Sequence, residues 1–300
     1  MKPKVTIGIC ARNCQDIIGA AIESAIKQDF NHRLMEIIMI DDGSEDITLK
    51  IMRAYKAKTD IPTKIFTGKW EGIGKARETV LNNALGEYII WLDSDETFEN
   101  SFVRKQVALM EKNPKAGISV GQMGLLQDEN PVLALDLVPN MIEYACYDFN
   151  TSDKLPGTGG STYRVVAAKE VGGFDESVTG LGEDIDIAKR MKDAGWLILN
   201  GGGVFYETHG CLASWRTLWK RYADRGVHSR DLYLKTKGLF SLYKINPLAS
   251  FVVSLICTVQ GYRLTRSKLV LLLPVHFTFK MTAWFYGFTR SSSLSSKLSK

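Results

Sequence analysis

Short apolar runs recur through the first 125 positions, separated by stretches with helical spacing. Val5–Cys10 is apolar and β-rich, whereas Ile17–Gln28 places Ile17, Ala21, Ser24, Ala25 and Gln28 three or four apart, which predicts a helix. Met35–Ile40 predicts a second strand, Asp46–Lys58 a helix, Thr63–Thr67 a third strand and Gly74–Leu85 a helix ended by Gly86. Ile89–Leu92 has no polar alternation, the pattern of a strand buried on both faces of a sheet. Phe102–Lys112 and Gly117–Met123 add one more helix and one more strand. Strands alternating with helices in this way predict an α/β fold with a mostly parallel sheet covered on both faces. Such sheets bind ligands beyond the carboxyl ends of their strands.

From Pro131 to Tyr163 the pattern weakens to loops and a strand near Tyr144–Phe149. Val165–Val171 then predicts a short helix stopped by Gly172-Gly173, and Glu183–Ala194 a longer one with Gly195 just past its end. Ser214–Lys237 reads as a basic helix with an apolar stripe of Trp215, Leu218, Trp219 and Tyr222, for which packing against the rest of the chain is the default. Beyond it, Ile245–Tyr262 carries no charge and Leu269–Thr289 carries only Lys280. A bilayer-spanning helix needs about 20 apolar residues, and Pro247, Pro274, His276 and Lys280 interrupt these segments. Basic residues flank both: Lys235, Lys237 and Lys244 before the first, Arg263, Arg266 and Lys268 between them, Arg290 after the second. A spanning hairpin would put one of these clusters on the wrong side. The expectation is therefore two helices lying in, or dipping into, the cytoplasmic leaflet, with the basic residues at anionic headgroups. An interface between copies of the chain is the other use of such helices.

Length and composition change this picture little. Three hundred residues, 45% hydrophobic and 24% charged, suit one large domain or a domain with an appendage. The net charge of +5 is uneven: carboxylates crowd several early loops, and Arg and Lys are dense from Lys220 onward. That basic tail favours phosphate or anionic lipid, since no nucleic-acid motif accompanies it. Five cysteines without a CxxC pair predict reduced thiols in a cytosolic compartment. The apolar run Val5–Ala11 is short and ends in Arg12, so it predicts a first strand and not a signal peptide.

The candidate chemistry lies in carboxylates. Directly after Ile89–Leu92 come Asp93-Ser94-Asp95-Glu96, three carboxylates in four residues. Their repulsion at the end of a buried strand would be relieved by a divalent cation, which takes oxygen ligands. Taken alone, the stretch reads equally well as an acidic loop facing water. Asp41-Asp42-Gly43-Ser44, at the end of the second predicted strand, brings a second acidic cluster to the same crevice and tips the reading toward a functional site. Glu183 and Asp184 occupy the first turn of a predicted helix, where carboxylates complement the helix dipole. The flexible loop Thr179–Gly182 would also present them to a cleft; on these residues alone, capping is slightly ahead.

Seven segments in this order resemble a family 2 glycosyltransferase of the GT-A fold: VTIGICARN (5–13), SAIKQDF (24–30), IIMIDDGSEDIT (37–48), GIGKARE (72–78), ALGEYIIWLDSDE (84–96), VGGFDE (171–176) and GEDIDIAKRMKDAGW (182–196). The resemblance covers roughly residues 4 to 210. It implies a Rossmann-like, mostly parallel sheet with flanking helices over residues 1–212. A nucleotide-sugar half would run to about 125 and an acceptor half from about 126, followed by a hydrophobic helical, membrane-associating appendage at 213–300. It also implies transfer of a sugar with inversion from a nucleoside diphosphate donor, with Mg2+ or Mn2+ as cofactor. Asp42 would bond the base, with Cys10, Arg12, Lys75 and Arg77 close to the nucleotide. Asp93 would touch the ribose and the metal shell, and Asp95 would hold the metal on the diphosphate. Asp184 resembles the catalytic base, with Glu183 and Gly159 on the acceptor side, and His209 falls where a further metal ligand or diphosphate contact can lie. A UDP-sugar is the favoured donor and a GDP-sugar the alternative. The acceptor would be a lipid-linked or cell-envelope glycan, met at the cytoplasmic face of the membrane.

The chemistry agrees with those roles. A departing nucleoside diphosphate gathers negative charge that a divalent cation stabilises, so a single base suffices to deprotonate the acceptor hydroxyl. Some positions depart from the family pattern: Arg12 stands where an aromatic residue is frequent, Glu78 where Asn is frequent, and Glu96 where a third Asp is frequent. The Gln-x-x-Arg-Trp motif of processive synthases is absent, which predicts single additions. The rival reading is a sugar-nucleotide-binding, membrane-associated protein without transferase activity. GIGKAR lacks the third glycine of a dinucleotide fingerprint, which excludes an oxidoreductase.

Overall fold

The computed structural model describes residues 2–125, 130–146, 148–151, 155–176, 182–207, 214–236 and 247–290. They form two compact units, Met1–Gly124 with Tyr144–Thr208, and Leu125–Glu143 with His209–Lys300.

The first unit is built on β1 (Val5–Ala11), β2 (Met35–Asp41), β3 (Thr63–Thr67), β4 (Tyr88–Trp91), β5 (Glu96–Phe98), β6 (Ala116–Gly124), β7 (Ser161–Arg164) and β8 (Leu197–Glu207). They make one sheet in the order β3-β2-β1-β4-β7-β6-β8-β5. β1, β2, β3 and β4 run parallel, as do β6 and β8, whereas β7 and β5 pair antiparallel with their neighbours. The apolar runs form the centre because helices cover both faces: every residue of β2 and of β4 is buried. The helices are α1 (Ile18–Ile26), α2 (Thr48–Lys56), α3 (Ile73–Asn83), α4 (Phe102–Lys112), and, after α5 described below, α6 (Val165–Glu170) and α7 (Glu183–Asp193).

Trp91 anchors the strand that carries the acidic cluster. Its ring is 1% exposed and meets Phe174 edge-on at 5.3 Å and Tyr163 at 6.2 Å. Such ring pairs add about 0.5–1.5 kcal/mol beyond the area they bury. The end of β4 is therefore held from α7's side of the sheet as well as by its neighbouring strands, and the carboxylates after it start from a rigid point.

The second unit contains α5 (Pro131–Cys146), α8 (Trp215–Thr236), α9 (Pro247–Thr265), a 3-10 turn (Lys268–Leu272) and α10 (Leu273–Arg290). Leu135, Val138 and Ile142 of α5 pack on Val270, Leu273 and Phe277, which draws Leu125–Glu143 to the C-terminal helices instead of the expected acceptor half. The expected strand near Tyr144 is a correction too, because α5 continues through Cys146. Pro139 inside that helix is what broke up its pattern, since proline is read as a helix stop.

Candidate active site

Beyond the carboxyl ends of β1, β2 and β4 lies a crevice of about 410 Å3, lined by Cys10, Ala11, Arg12, Asp42, Trp70, Ile73, Arg77, Asp93, Glu183 and Asp184. A larger hollow of about 620 Å3 sits at the opposite, amino end of the strands. Its lining carboxylate, Glu87, is already paired with Lys4 at 2.7 Å. The chemistry-bearing residues are in the smaller one.

Arg77 is the hub of that crevice. It is 5% exposed on the first turns of α3, bonds Glu183 through Nη1, and donates from Nη2 to Asp93 Oδ1 at 3.2 Å. One guanidinium thus ties α3 to the end of β4 and to the start of α7. Lys75 does not join it: two residues apart on a helix point to nearly opposite sides, and Lys75 pairs with Glu176 at 2.6 Å, outside the crevice. Glu78 is likewise turned away, accepting the Phe174 N–H at 2.7 Å.

The pair at the start of α7 splits its duties. Gly182 occupies the cap position with φ of 117°, and Glu183 turns inward, 2% exposed, with Oε1 on Arg77 and Oε2 without a hydrogen-bond partner. Asp184 accepts the Ile185 N–H at 2.8 Å with Oδ1. Capping therefore describes one oxygen of Asp184 and none of Glu183. Asp184 and Asp93 face the same crevice.

The acidic loop is layered. Asp93 lines the crevice, and burial lifts its carboxyl above the usual range while Arg77 pulls it down and Asp95 pushes it up. Asp95 is half-buried and bears on both Asp93 and Glu96 through its charge, but it is not part of the lining. Glu96 lies beneath them, 3% exposed, and accepts the N–H of Gly160 at 3.0 Å and of Asp93 at 3.2 Å. Its carboxyl is pushed well above the usual range, first by burial and then by Asp93, Glu207 and Asp95. Gly159 makes this packing possible: a Cβ there would collide with Glu96 Oε1 and lie 3.2 Å from Asp93 Oδ2.

This donor set suits a divalent cation. It consists of carboxylate oxygens, which Mg2+ and Mn2+ accept, and it carries repulsion that a cation would relieve. Among the described residues no three His, Cys, Asp and Glu side chains close into a metal cage. An open arrangement of one or two carboxylates completed by phosphate oxygens is the usual form for Mg2+. His209 lies outside the described residues.

At the other end of the crevice, Asp42 accepts the N–H groups of Glu71 at 2.9 Å and Gly72 at 3.2 Å, fixing the loop between β3 and α3 to the end of β2. That loop carries Trp70, 56% exposed, whose ring lies under the Arg12 guanidinium at 4.9 Å. Periodicity gave no sign of Trp70, since a lone aromatic in a loop has no partner in sequence. Cys10 lines the wall between the two ends, and burial pushes its thiol up to about 12, so it stays protonated at neutral pH.

A family model described as glycosyl transferase family 2 matches residues 6–159, and one described as glycosyl transferase family group 2 matches residues 88–289. The chain belongs to glycosyl transferase family 2. Among the relatives of this transferase is TuaG of Bacillus subtilis, named as a glycosyltransferase of teichuronic acid biosynthesis. The two are 28% identical over 72% of this chain and 79% of TuaG. The Escherichia coli UDP-Glc:α-D-GlcNAc-diphosphoundecaprenol β-1,3-glucosyltransferase WfaP is 37% identical over 36% of this chain and 41% of its own length. Two solved structures share the fold. The mannosyltransferase PcManGT of Pyrobaculum calidifontis, in complex with GDP-Man and Mn2+, aligns with a TM-score of 0.63 at 15% identity, over 98% of this chain and 88% of its own. Staphylococcus aureus TarS 1–349, in complex with UDP-GlcNAc, aligns with a TM-score of 0.54 at 18% identity, over 98% and 92%. The chain is thus a family 2 glycosyltransferase with a GT-A fold.

Proposed function

We propose that this enzyme moves one sugar at a time, with inversion and with a divalent cation, from a nucleoside diphosphate sugar to a lipid-linked or cell-envelope glycan. The observation that carries the reading is that Asp93 and Asp184 line one crevice with the Arg77 guanidinium reaching between their elements. The donor would lie with its base against Arg12 and Trp70, on the loop that Asp42 holds, and its diphosphate toward Asp93. Asp93 and Asp95 are the residues to hold Mg2+ or Mn2+, the latter being the ion named with PcManGT. When bound, the cation would supply Lewis-acid stabilisation of the charge that builds on the leaving diphosphate.

The protein's own part is positioning and proton transfer. Asp184 would take the proton from the acceptor hydroxyl as that oxygen attacks the anomeric carbon on the face opposite the departing phosphate. A direct displacement of this kind needs one base and no enzyme nucleophile, and it inverts the anomeric centre. Cys10, protonated at neutral pH, would contribute wall and not chemistry. The names of TuaG and WfaP favour an envelope or diphospholipid-linked acceptor, and a UDP-sugar is favoured as donor by WfaP and by TarS. The second unit would bring the enzyme to the cytoplasmic face of the membrane.

Asp184→Asn tests the reading. Removing the base while keeping shape should abolish transfer, by at least 100-fold, with UDP binding in Mn2+ unchanged by calorimetry. Transfer at the wild-type rate would strike Asp184 from the role of base. A wild-type chain that binds UDP-sugars but transfers nothing would favour the sugar-nucleotide-binding rival.

A further inference from the structure

α9 is built with its polarity reversed. A helix packed on a protein body in water turns its large apolar side chains inward and its polar ones outward. In α9 the enclosed positions are Ser250, Ser254 and Gly261. Leu248, Val252, Ile256 and Val259, on one stripe at spacings of four, four and three, are 55 to 77% exposed. The inward hydroxyls look after themselves: Ser254 Oγ donates to the Phe251 carbonyl one turn back at 2.5 Å. Gly261 sits where a side chain would meet Val138 of α5 at 2.8 Å. Small residues toward neighbouring helices and large aliphatic ones outward is the arrangement that lipid, not water, rewards.

α10 follows another rule although its composition is similar. Its interior side carries Lys280, 6% exposed, paired with Asp136 of α5 at 2.5 Å, and Tyr222 of α8 donates to the same Asp136 oxygen at 3.0 Å. Further along, Gly287 and Ala223 meet backbone to backbone, with no room for a Cβ on Gly287. α10 is therefore claimed on one side by protein. Arg263 in the last turn of α9, and Arg266 and Lys268 just after it, are all exposed.

We infer that α9 lies along an anionic lipid surface with the stripe Leu248, Val252, Ile256 and Val259 in the acyl layer, Arg263, Arg266 and Lys268 at the headgroups, and α10 retained by the protein. The inference rests on the membrane reading above and narrows it to one helix and one face. The basic turn decides the orientation. In a hairpin driven through the bilayer those three cations would be carried to the far side, against the bias that keeps Lys and Arg on the cytoplasmic side. In the plane of the leaflet they meet lipid phosphates instead. The exposed Leu271 and Leu272 continue the apolar margin past the turn.

The test is flotation of the full chain with vesicles of phosphatidylcholine, with and without one third phosphatidylglycerol. Wild type should float with the anionic vesicles, less with the neutral ones, and less again in high salt. Val252→Asp with Ile256→Asp should lower the floated fraction at least tenfold, whereas Phe285→Asp on α10 should leave it within twofold. Both α9 positions are exposed, so neither aspartate needs burial in the folded chain. Equal flotation of the α9 variant and wild type would overturn the proposal, as would equal release by the α10 variant. Sedimentation without lipid can overturn it in a third way: a wild-type dimer that the α9 variant turns into monomer, with no lipid binding by either, would assign the stripe to a second copy of the chain. UDP binding measured on the same samples separates the two readings, because its absence from wild type would sink the donor assignment and leave flotation untouched.

Discussion

Trp70 is the residue that most alters the expected donor site. Asp42 is expected to read the base, yet both its oxygens accept backbone N–H groups of the loop that carries Trp70. Asp42 thus holds the loop, and the loop holds a half-exposed ring against Arg12. Replacing Trp70 by Ala removes the platform and leaves the diphosphate end intact. The expected result is about a tenfold loss of affinity for UDP, within the roughly 1–3 kcal/mol of a base stacked on an aromatic ring, with ribose 5-diphosphate binding unchanged. Calorimetry with both ligands checks it, and an equal loss for both would assign Trp70 to loop stability instead. The two acidic clusters were legible from sequence because carboxylates massed directly after buried strands are conspicuous. The sides they present were not: Lys75 and Arg77 look alike in a motif, and only the helix turn separates the one that enters the crevice from the one that leaves it.

At the level of elements, legibility followed the clarity of the local pattern and not burial: β3, at the sheet edge with no buried residue, was as legible as the fully buried β2. β1, β2, β3 and α4 lie within a residue of their expected bounds, because an unbroken apolar run or a clean three-four spacing has few alternative readings. β7, four residues long, and α5, with Pro139 inside it, were missed for opposite reasons: one is too short to show a period and the other carries a false stop. α5 also explains why Lys280 and Asp136 are tolerated among apolar helices. Each is under a tenth exposed and each is the other's partner. Lys280→Met should therefore leave the Asp136 carboxylate enclosed without its countercharge and cost about 3–5 kcal/mol. Adding Asp136→Asn to it should restore most of that loss, since neither charge then remains. Melting of the single and double variants checks this, and a double variant as unstable as the single one would show that the pair contributes packing and not charge balance.

Across the whole molecule the carboxylate cluster links stability to protons and, in the proposed function, to a metal ion. Glu96 and Asp93 hold their protons more tightly in the folded chain than an unfolded chain would, Glu96 most of all. Between the ordinary carboxylate value, about 4, and the raised values, the folded state then binds more protons than the unfolded state. Linkage makes the metal-free protein lose stability as pH rises through that window. A cation at the cluster requires the deprotonated form, so protons compete with it, and its stabilising effect should grow over the same interval. Saturating Mn2+, at about 100 times its dissociation constant, contributes about 2.7 kcal/mol, a rise of several degrees for a unit of this size. The expected outcome is a larger Mn2+-induced rise in melting temperature at neutral pH than in mild acid, with Asp95→Asn reducing the difference. Equal rises at both pH values would place the ion away from Asp93, Asp95 and Glu96. A sequence shows that like charges are adjacent; only the folded chain, by burying Glu96 beneath Asp93 with Gly159 packed against it, makes that adjacency costly enough for a metal ion to be its natural relief.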